Sequence, residues 1–187
     1  MGKVIFTMYA SLDGYVEDRD GSIDFAEPDE ELHRLANEQA REASAFLFGR
    51  GLYEVMEDFW TDPAREDAAE IEAEFARAYV ATPRFVFSDT LESVGEGVRL
   101  VRSADAVAEV MRLKEQTDGH LDLGGPGLAA SLVDLLDEYR LYLLPVVVGG
   151  GKPFFATGRE RLNLRLAEHR AYSSGAVYLR YERGAGV

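Results

Sequence analysis

Cysteine is absent from the 187-residue chain. That excludes disulfides, thiolate nucleophiles and every cysteine-ligated zinc centre, and it is compatible with a reducing cytoplasm. Histidine is scarce: His33, His120 and His169 stand far apart and form no H-x-x-x-H pair. Bases are outnumbered, 20 Lys and Arg against 34 Asp and Glu, which leaves a formal net charge of −14. A partner rich in phosphate needs a basic face, so the composition argues against nucleic acid and anionic membrane surfaces. No apolar run approaches the roughly 18 residues that span a bilayer. Residues 1–6 carry one positive charge and too short an apolar stretch for a secretory signal. There is no G-x-S-x-G elbow and no Walker A sequence. Asp18, Asp20, Ser22 and Asp24 imitate the start of a calcium loop. Their glycine falls at the wrong place and the closing glutamate is missing, so a solvated loop and no metal are expected.

What is present can build a core. The hydrophobic fraction is 47%, with ten Phe, nine Tyr and one Trp, which excludes disorder as a reading of the whole chain. The length suits a single domain over residues 1–187. Strand signals at residues 3–9, 45–48, 85–87, 98–101 and 121–123 alternate with helical ones. Residues 13–28 read as a polar loop. Pro28 followed by Asp29, Glu30 and Glu31 reads as a helix start, with acids facing the positive end of the dipole. Leu32, Leu35, Ala36, Gln39, Ala40 and Ala43 then recur at helical spacing. A second amphipathic helix is expected over 65–80, and Ser103 is a plausible N-cap for a third. Strands at 139–148, 162–172 and 177–181 follow without intervening helices. The pattern predicts an α/β fold: a mostly parallel twisted sheet, helices on both faces, and an antiparallel C-terminal hairpin.

Two glycine clusters stand out. The strand at 121–123 runs into Gly124-Gly125-Pro126-Gly127 and then a helix, a turn that lets backbone approach a ligand and offers free N–H groups to a phosphate. Gly125-x-Gly127-x-x-Ala130 also satisfies a loose dinucleotide fingerprint, but late in the chain and ahead of antiparallel strands, which counts against a Rossmann dehydrogenase. Gly149-Gly150-Gly151-Lys152 reads as a wide loop, or a flexible turn with a lysine handle.

Taken in order, four segments resemble the dihydrofolate reductase superfamily, in particular the RibD C-terminal (riboflavin-biosynthesis reductase) type. They are Ser11-Leu12-Asp13-Gly14, Gly49-Arg50-Gly51-Leu52-Tyr53-Glu54, Ser88-Asp89-Thr90-Leu91, and the block from Leu123 to Lys152. The resemblance implies a dihydrofolate reductase-like fold and an NADPH-dependent reductase, NADH being possible. It places Ala10 and the loop of Asp13 to Val16 beside the nicotinamide. Gly49, Arg50 and the residue at Leu52 fall near the adenosine phosphates, Ser88 and Arg102 by the 2′-phosphate, and Gly124, Gly125, Pro126, Gly127 and Leu128 around the pyrophosphate. The small substrate would offer a C=N or C=O bond in a pterin- or pyrimidine-like ring.

The departures sharpen this. Leu52 stands where the pattern has threonine, and Asp89 stands where it has a base. The position of the folate-binding arginine is Thr82, with Arg84 displaced, and the riboflavin enzymes' substrate glutamate is Leu123. By alignment on Pro28 the proton donor falls at Glu30, with Asp13 as a second candidate. A binding or regulatory protein that keeps the fold without turnover is the alternative reading. The resemblance and the long apolar strands at 139–148 and 177–181 together imply a homodimer, since an exposed edge of that kind needs covering.

Overall fold

The computed structural model describes residues 1–156 and 161–184. Its chain order is β1 (Lys3–Ser11), β2 (Tyr15–Glu17), α1 (Glu30–Glu42), β3 (Ala43–Gly49), α2 (Arg50–Trp60), α3 (Glu70–Ala81), β4 (Arg84–Phe87), β5 (Val98–Val101), α4 (Ala106–Gln116), β6 (His120–Gly124), α5 (Pro126–Ser131), β7 (Glu138–Leu144), β8 (Lys152–Pro153), β9 (Leu164–Ala171) and β10 (Val177–Arg183).

Eight strands form one sheet in the order β5-β4-β3-β6-β1-β7-β10-β9. The pairs from β5 to β7 are parallel, while β10 runs antiparallel to both β7 and β9. Side chains alternate across it. Val4, Phe6, Leu47, Leu121 and Leu123 join Val110 of α4 and Leu128 of α5 in one core cluster. Phe46 and Phe48 join Ala40, Tyr53 and Tyr79, from α1, α2 and α3, in another. Helices therefore cover both faces.

Local chemistry explains the boundaries. The Asp29 carboxylate caps α1, accepting from the Leu32 amide at 2.8 Å. Leu32, Leu35, Gln39 and Ala40 lie on its buried side, matching the expected stripe. The second amphipathic helix begins at Glu70, not 65, because Pro63–Asp67 closes a separate 3₁₀ turn capped by Asp62. Ser103 does not cap a helix with its side chain; it opens another 3₁₀ turn, and its amide donates to Asp89 Oδ1 at 2.9 Å. Pro145 follows the last residue of β7, so that strand stops short of 148: proline has no N–H for a ladder.

Two expectations are overturned. Residues 13–28 are not loop throughout: β2 within them pairs with β8, and Lys152 bridges Glu17 at 2.7 Å. Gly149, Gly150 and Gly151 all have positive φ, and a Cβ on Gly151 would collide with the Glu17 carbonyl, so this is a tightly seated turn. Nor are the two apolar terminal strands edges. β7 lies between β1 and β10, and β10 between β7 and β9; the edge strand on that side is β9, whose Arg165, His169 and Arg170 are exposed. The premise that those strands need a second copy to cover them does not hold.

Candidate active site

The C-terminal ends of β1, β3, β4 and β6 converge, which is where open α/β sheets hold their ligands. Two helices begin there face to face. α2 follows Gly49 directly, and α5 follows Gly125. A Cβ built on Gly125 would stand 3.5 Å from the Gly49 amide nitrogen, and φ at Gly125 is +104°, a conformation glycine adopts without strain. The Gly125 amide donates to Met8 Sδ at 3.4 Å.

These two helix starts share a property. Among the described α-helices, α2 and α5 alone have neither a side-chain cap nor an acid in the first turn. Helix starts normally have their free N–H groups satisfied by one or the other. Here those groups border a groove of about 640 Å³ lined by Val16, Gly49, Arg50, Leu52, Gly125, Pro126, Gly127 and Leu128, with Phe87, Ser103 and Lys152 beside them.

A deeper cavity of about 960 Å³ adjoins it beneath α1. Met8, Val16, Ile23, Leu52 and Val55 line both spaces, so the two share a wall. Phe46, Phe48, Phe59, Trp60 and Phe75 give the cavity an aromatic lining, while Thr7, Gln39, Asp122 and Tyr142 give it polar points. Gln39 is fully engaged: its Nε2 donates to Tyr178 at 3.1 Å and its Oε1 accepts from Tyr142 at 2.7 Å.

The RibD C-terminal domain profile matches residues 2–178. The chain belongs to that family. The chain is similar to YyaP of Bacillus subtilis strain 168, an uncharacterized protein, with 29% identity over 186 residues, 96% of this chain and 94% of that one. A candidate riboflavin biosynthesis protein from Shewanella sp. PV-4 shares the fold with a TM-score of 0.74 at 23% identity, covering 99% of this chain and 100% of that one. The dihydrofolate reductase of Enterococcus faecalis, solved as a complex with NADP(H), shares it with a TM-score of 0.68 at 13% identity, covering 98% of both. The sheet with antiparallel C-terminal strands is thus the dihydrofolate reductase-like fold.

Within this RibD C-terminal domain the structure separates the residues singled out from sequence. Gly124 lines the deeper cavity, and a Cβ there would collide with Leu52. Arg50 reaches across the groove's end, donating Nε to Glu54 at 2.8 Å and Nη1 to Thr90 at 2.9 Å. Ala10 is fully buried in the core and borders neither space. Ser88 and Arg102 also lie outside both linings. The Ser88 hydroxyl accepts from the Thr90 and Leu91 amides, and Arg102 Nη1 donates to the carbonyls of Ser88 and Leu91 at 2.8 and 2.9 Å. Of the two arginines singled out from sequence, Arg50 lines the groove and Arg102 does not. Asp89 is held low in pKa by the Ser103 hydrogen bonds, with Arg102 adding to the effect.

Neither proposed acid touches the cavity. Glu30 sits on the outer side of α1, paired with Arg34 and 68% exposed. Asp13 accepts from the Val148 and Gly149 amides, and its pKa is lowered, most strongly by the Ser11 hydroxyl and also by those amides. Displaced Arg84 is structural: 3% exposed, it donates to the carbonyls of Tyr79, Val80 and Glu96.

Of the five acids that line the cavity, Asp122 is the one carried by a central strand, and sequence reasoning passed it over. Burial raises its pKa from 3.8 to about 6, against the Thr7 hydroxyl and the Arg140 cation. Its signal was a lone acid in the otherwise apolar run Leu121-Asp122-Leu123 of a central strand. Among the described residues no group of His, Cys, Asp or Glu is arranged to hold a metal, and no helix is long and apolar enough to cross a membrane.

Proposed function

We propose that this chain is an NADPH-dependent reductase that delivers a hydride to a C=N or C=O bond of a small heterocyclic substrate. The observation that carries the reading is the meeting of two uncapped helix starts at one groove, next to a deep aromatic-lined cavity. Orphan N–H groups and Arg50 suit the phosphates of a dinucleotide. The absence of a side chain at Gly49, Gly51, Gly125 and Gly127 leaves the backbone approachable there. The shared wall of Met8, Val16 and Leu52 is where a nicotinamide ring would meet the substrate cavity. NADPH supplies the hydride when bound. The chain's own part is to position the two reactants, to exclude water with the apolar lining, and to provide the proton that reduction of C=N or C=O requires.

Asp89 and the committed Arg102 reduce the charge available to a 2′-phosphate, so the test compares cofactors directly. Titration of the purified protein with NADPH and NADH, read by nicotinamide fluorescence, is expected to show saturable binding, tighter for NADPH. Loss of the reduced cofactor's absorbance in the presence of dihydropterins, oxo-pteridines or ribosylamino-pyrimidines reports turnover. Binding without turnover on every such substrate would favour a nucleotide-binding protein; no binding of either cofactor would overturn the reading.

A further inference from the structure

The deeper cavity has a charge pattern of its own. Five acids line it, Asp24, Glu27, Asp58, Glu72 and Asp122, and among the described residues no lysine or arginine does. Arg65 is close by, but it is engaged with Glu72 at 3.1 Å and lies over the Phe59 ring. Arg140 is on β7, separated from the Asp122 strand by β1 and outside the lining, with its Nε on Glu138 at 2.9 Å. His33 faces the aromatic wall with its Nδ1 against Asn37 at 3.0 Å. A phosphate or carboxylate entering this space would meet acids and no free cation.

The polar points narrow the choice further. Gln39 and Tyr142 satisfy each other. Thr7 and Asp122 both line the cavity, from the adjacent strands β1 and β6, and the Thr7 hydroxyl acts on the Asp122 carboxyl against the effect of its burial. A buried carboxylate is costly, so the site favours the protonated acid or a ligand that shares its charge.

We propose that the cavity takes a planar nitrogen heterocycle, neutral or cationic and free of phosphate and carboxylate groups, with the nitrogen of its reducible C=N bond against Asp122, which gives that nitrogen its proton. This rests on the reductase reading above. The balance is simple. The carbon of the C=N bond takes the hydride, the π electron pair moves to nitrogen, and there it takes the proton as the Asp122 O–H bond breaks. Asp122 is left as a carboxylate and is reprotonated from solvent. Its raised pKa keeps a protonated fraction at neutral pH.

A matched pair of substrates tests the substrate class: dihydrofolate, and a dihydropterin with a methyl group in place of the folate tail. Both offer the same C=N bond, and only dihydrofolate brings carboxylates. Trp60, the chain's single tryptophan, lines the cavity and reports occupancy by fluorescence quenching without any cofactor. The methyl-dihydropterin is expected to quench Trp60 at least about tenfold more tightly than dihydrofolate, and added salt is expected to narrow the gap. Equal or tighter binding of dihydrofolate, or no quenching by either, overturns the substrate class. Quenching without turnover would instead mark failure of the reductase reading and leave the class supported.

Asp122→Asn tests the proton. With NADPH and methyl-dihydropterin, the variant is expected to lose roughly 100-fold or more in kcat while quenching of Trp60 persists. The wild-type rate should fall as pH rises above about 6, and the variant should lack that limb. An Asp122→Asn enzyme with wild-type kcat and an unaltered pH profile overturns the assignment. Its thermal melt shows whether the fold is retained, and Asp122→Glu, which keeps the acid, should recover part of the rate.

Discussion

Asp13 Oδ2 accepts the Gly149 amide at 2.8 Å, joining the loop after β1 to the glycine turn after β7. Its other oxygen accepts from Val148, so the carboxylate acts as a clasp between two loops. Asp13→Ala is expected to weaken NADPH binding by roughly several-fold, because β2 and β8 beside the groove lose that tie, and to leave the pH profile of kcat unchanged. The pKa of Asp13 is lowered in the fold, so its contribution is present above the ordinary carboxylate range and is lost as pH falls through the lowered value. Limited proteolysis of the loops across acid pH checks this.

Arg50 is the groove's cation not engaged by an acid of the opposite wall; its ion pair is with Glu54 on its own helix. Arg50→Ala is expected to raise the NADPH dissociation constant about 10-fold or more, a charge-assisted hydrogen bond being worth about 1.5–3 kcal/mol. The salt dependence of binding should flatten in the variant. A dehydrogenase using only the Gly125 turn would keep its affinity.

Glu30→Gln is expected to leave kcat within about twofold of wild type at neutral pH, because the side chain pairs with Arg34 on the far side of α1 from the cavity. A surface i,i+4 pair contributes about 0.3–0.5 kcal/mol, so the melting temperature should barely move. Steady-state kinetics and a thermal melt decide it.

Arg84→Ala should be among the most damaging single changes. The guanidinium holds three carbonyls and lies 3.4 Å from Glu57 in an ion pair whose partners are 3% and 13% exposed. Removing it strands Glu57 in the interior and frees the end of α3, at a cost of about 3–5 kcal/mol. Urea denaturation measures this directly.

Asp122 and His120 impose opposite pH dependences. Burial raises the Asp122 pKa to about 6, so the fold favours its protonated form: its contribution is best below pH 3.8 and is lost as pH rises to about 6. Burial lowers His120 from 6.5 to about 4, so its neutral form is favoured; its contribution is full above pH 6.5 and is lost as pH falls toward 4. Asp122→Asn is therefore expected to be more stable than wild type at pH 8, by roughly 2–3 kcal/mol, with the difference gone near pH 4. Denaturation at the two pH values checks the sign.

Much of the architecture was legible because it rests on short-range signals. The stripe on α1, the β-rich central strands and the glycine turn before α5 each follow from spacing and propensity. So did the groove's backbone residues, since glycine is needed where chain and ligand approach closely. What was not legible depends on contacts between distant segments. Nothing near Ser88 or Arg102 shows that their polar atoms are already taken by neighbouring backbone. Nothing near Gly149 shows that Asp13 holds it. Asp122 stood out only as a charge in an apolar strand, and its meaning comes from the cavity that α1 encloses above it.

A helix start left without a cap has a thermodynamic corollary. α2 lacks the side-chain hydrogen bond, worth roughly a few tenths of a kcal/mol over glycine, that a serine or aspartate at Gly49 would give its first turn. An anion bound in the groove would supply that missing piece, so its concentration would enter the folding equilibrium, and under the reductase proposal the protein's durability would track cofactor supply. Amide exchange at Arg50, Gly51 and Leu52 is then a gauge of saturation: a fraying end when the groove is empty, and a protected one when it is full.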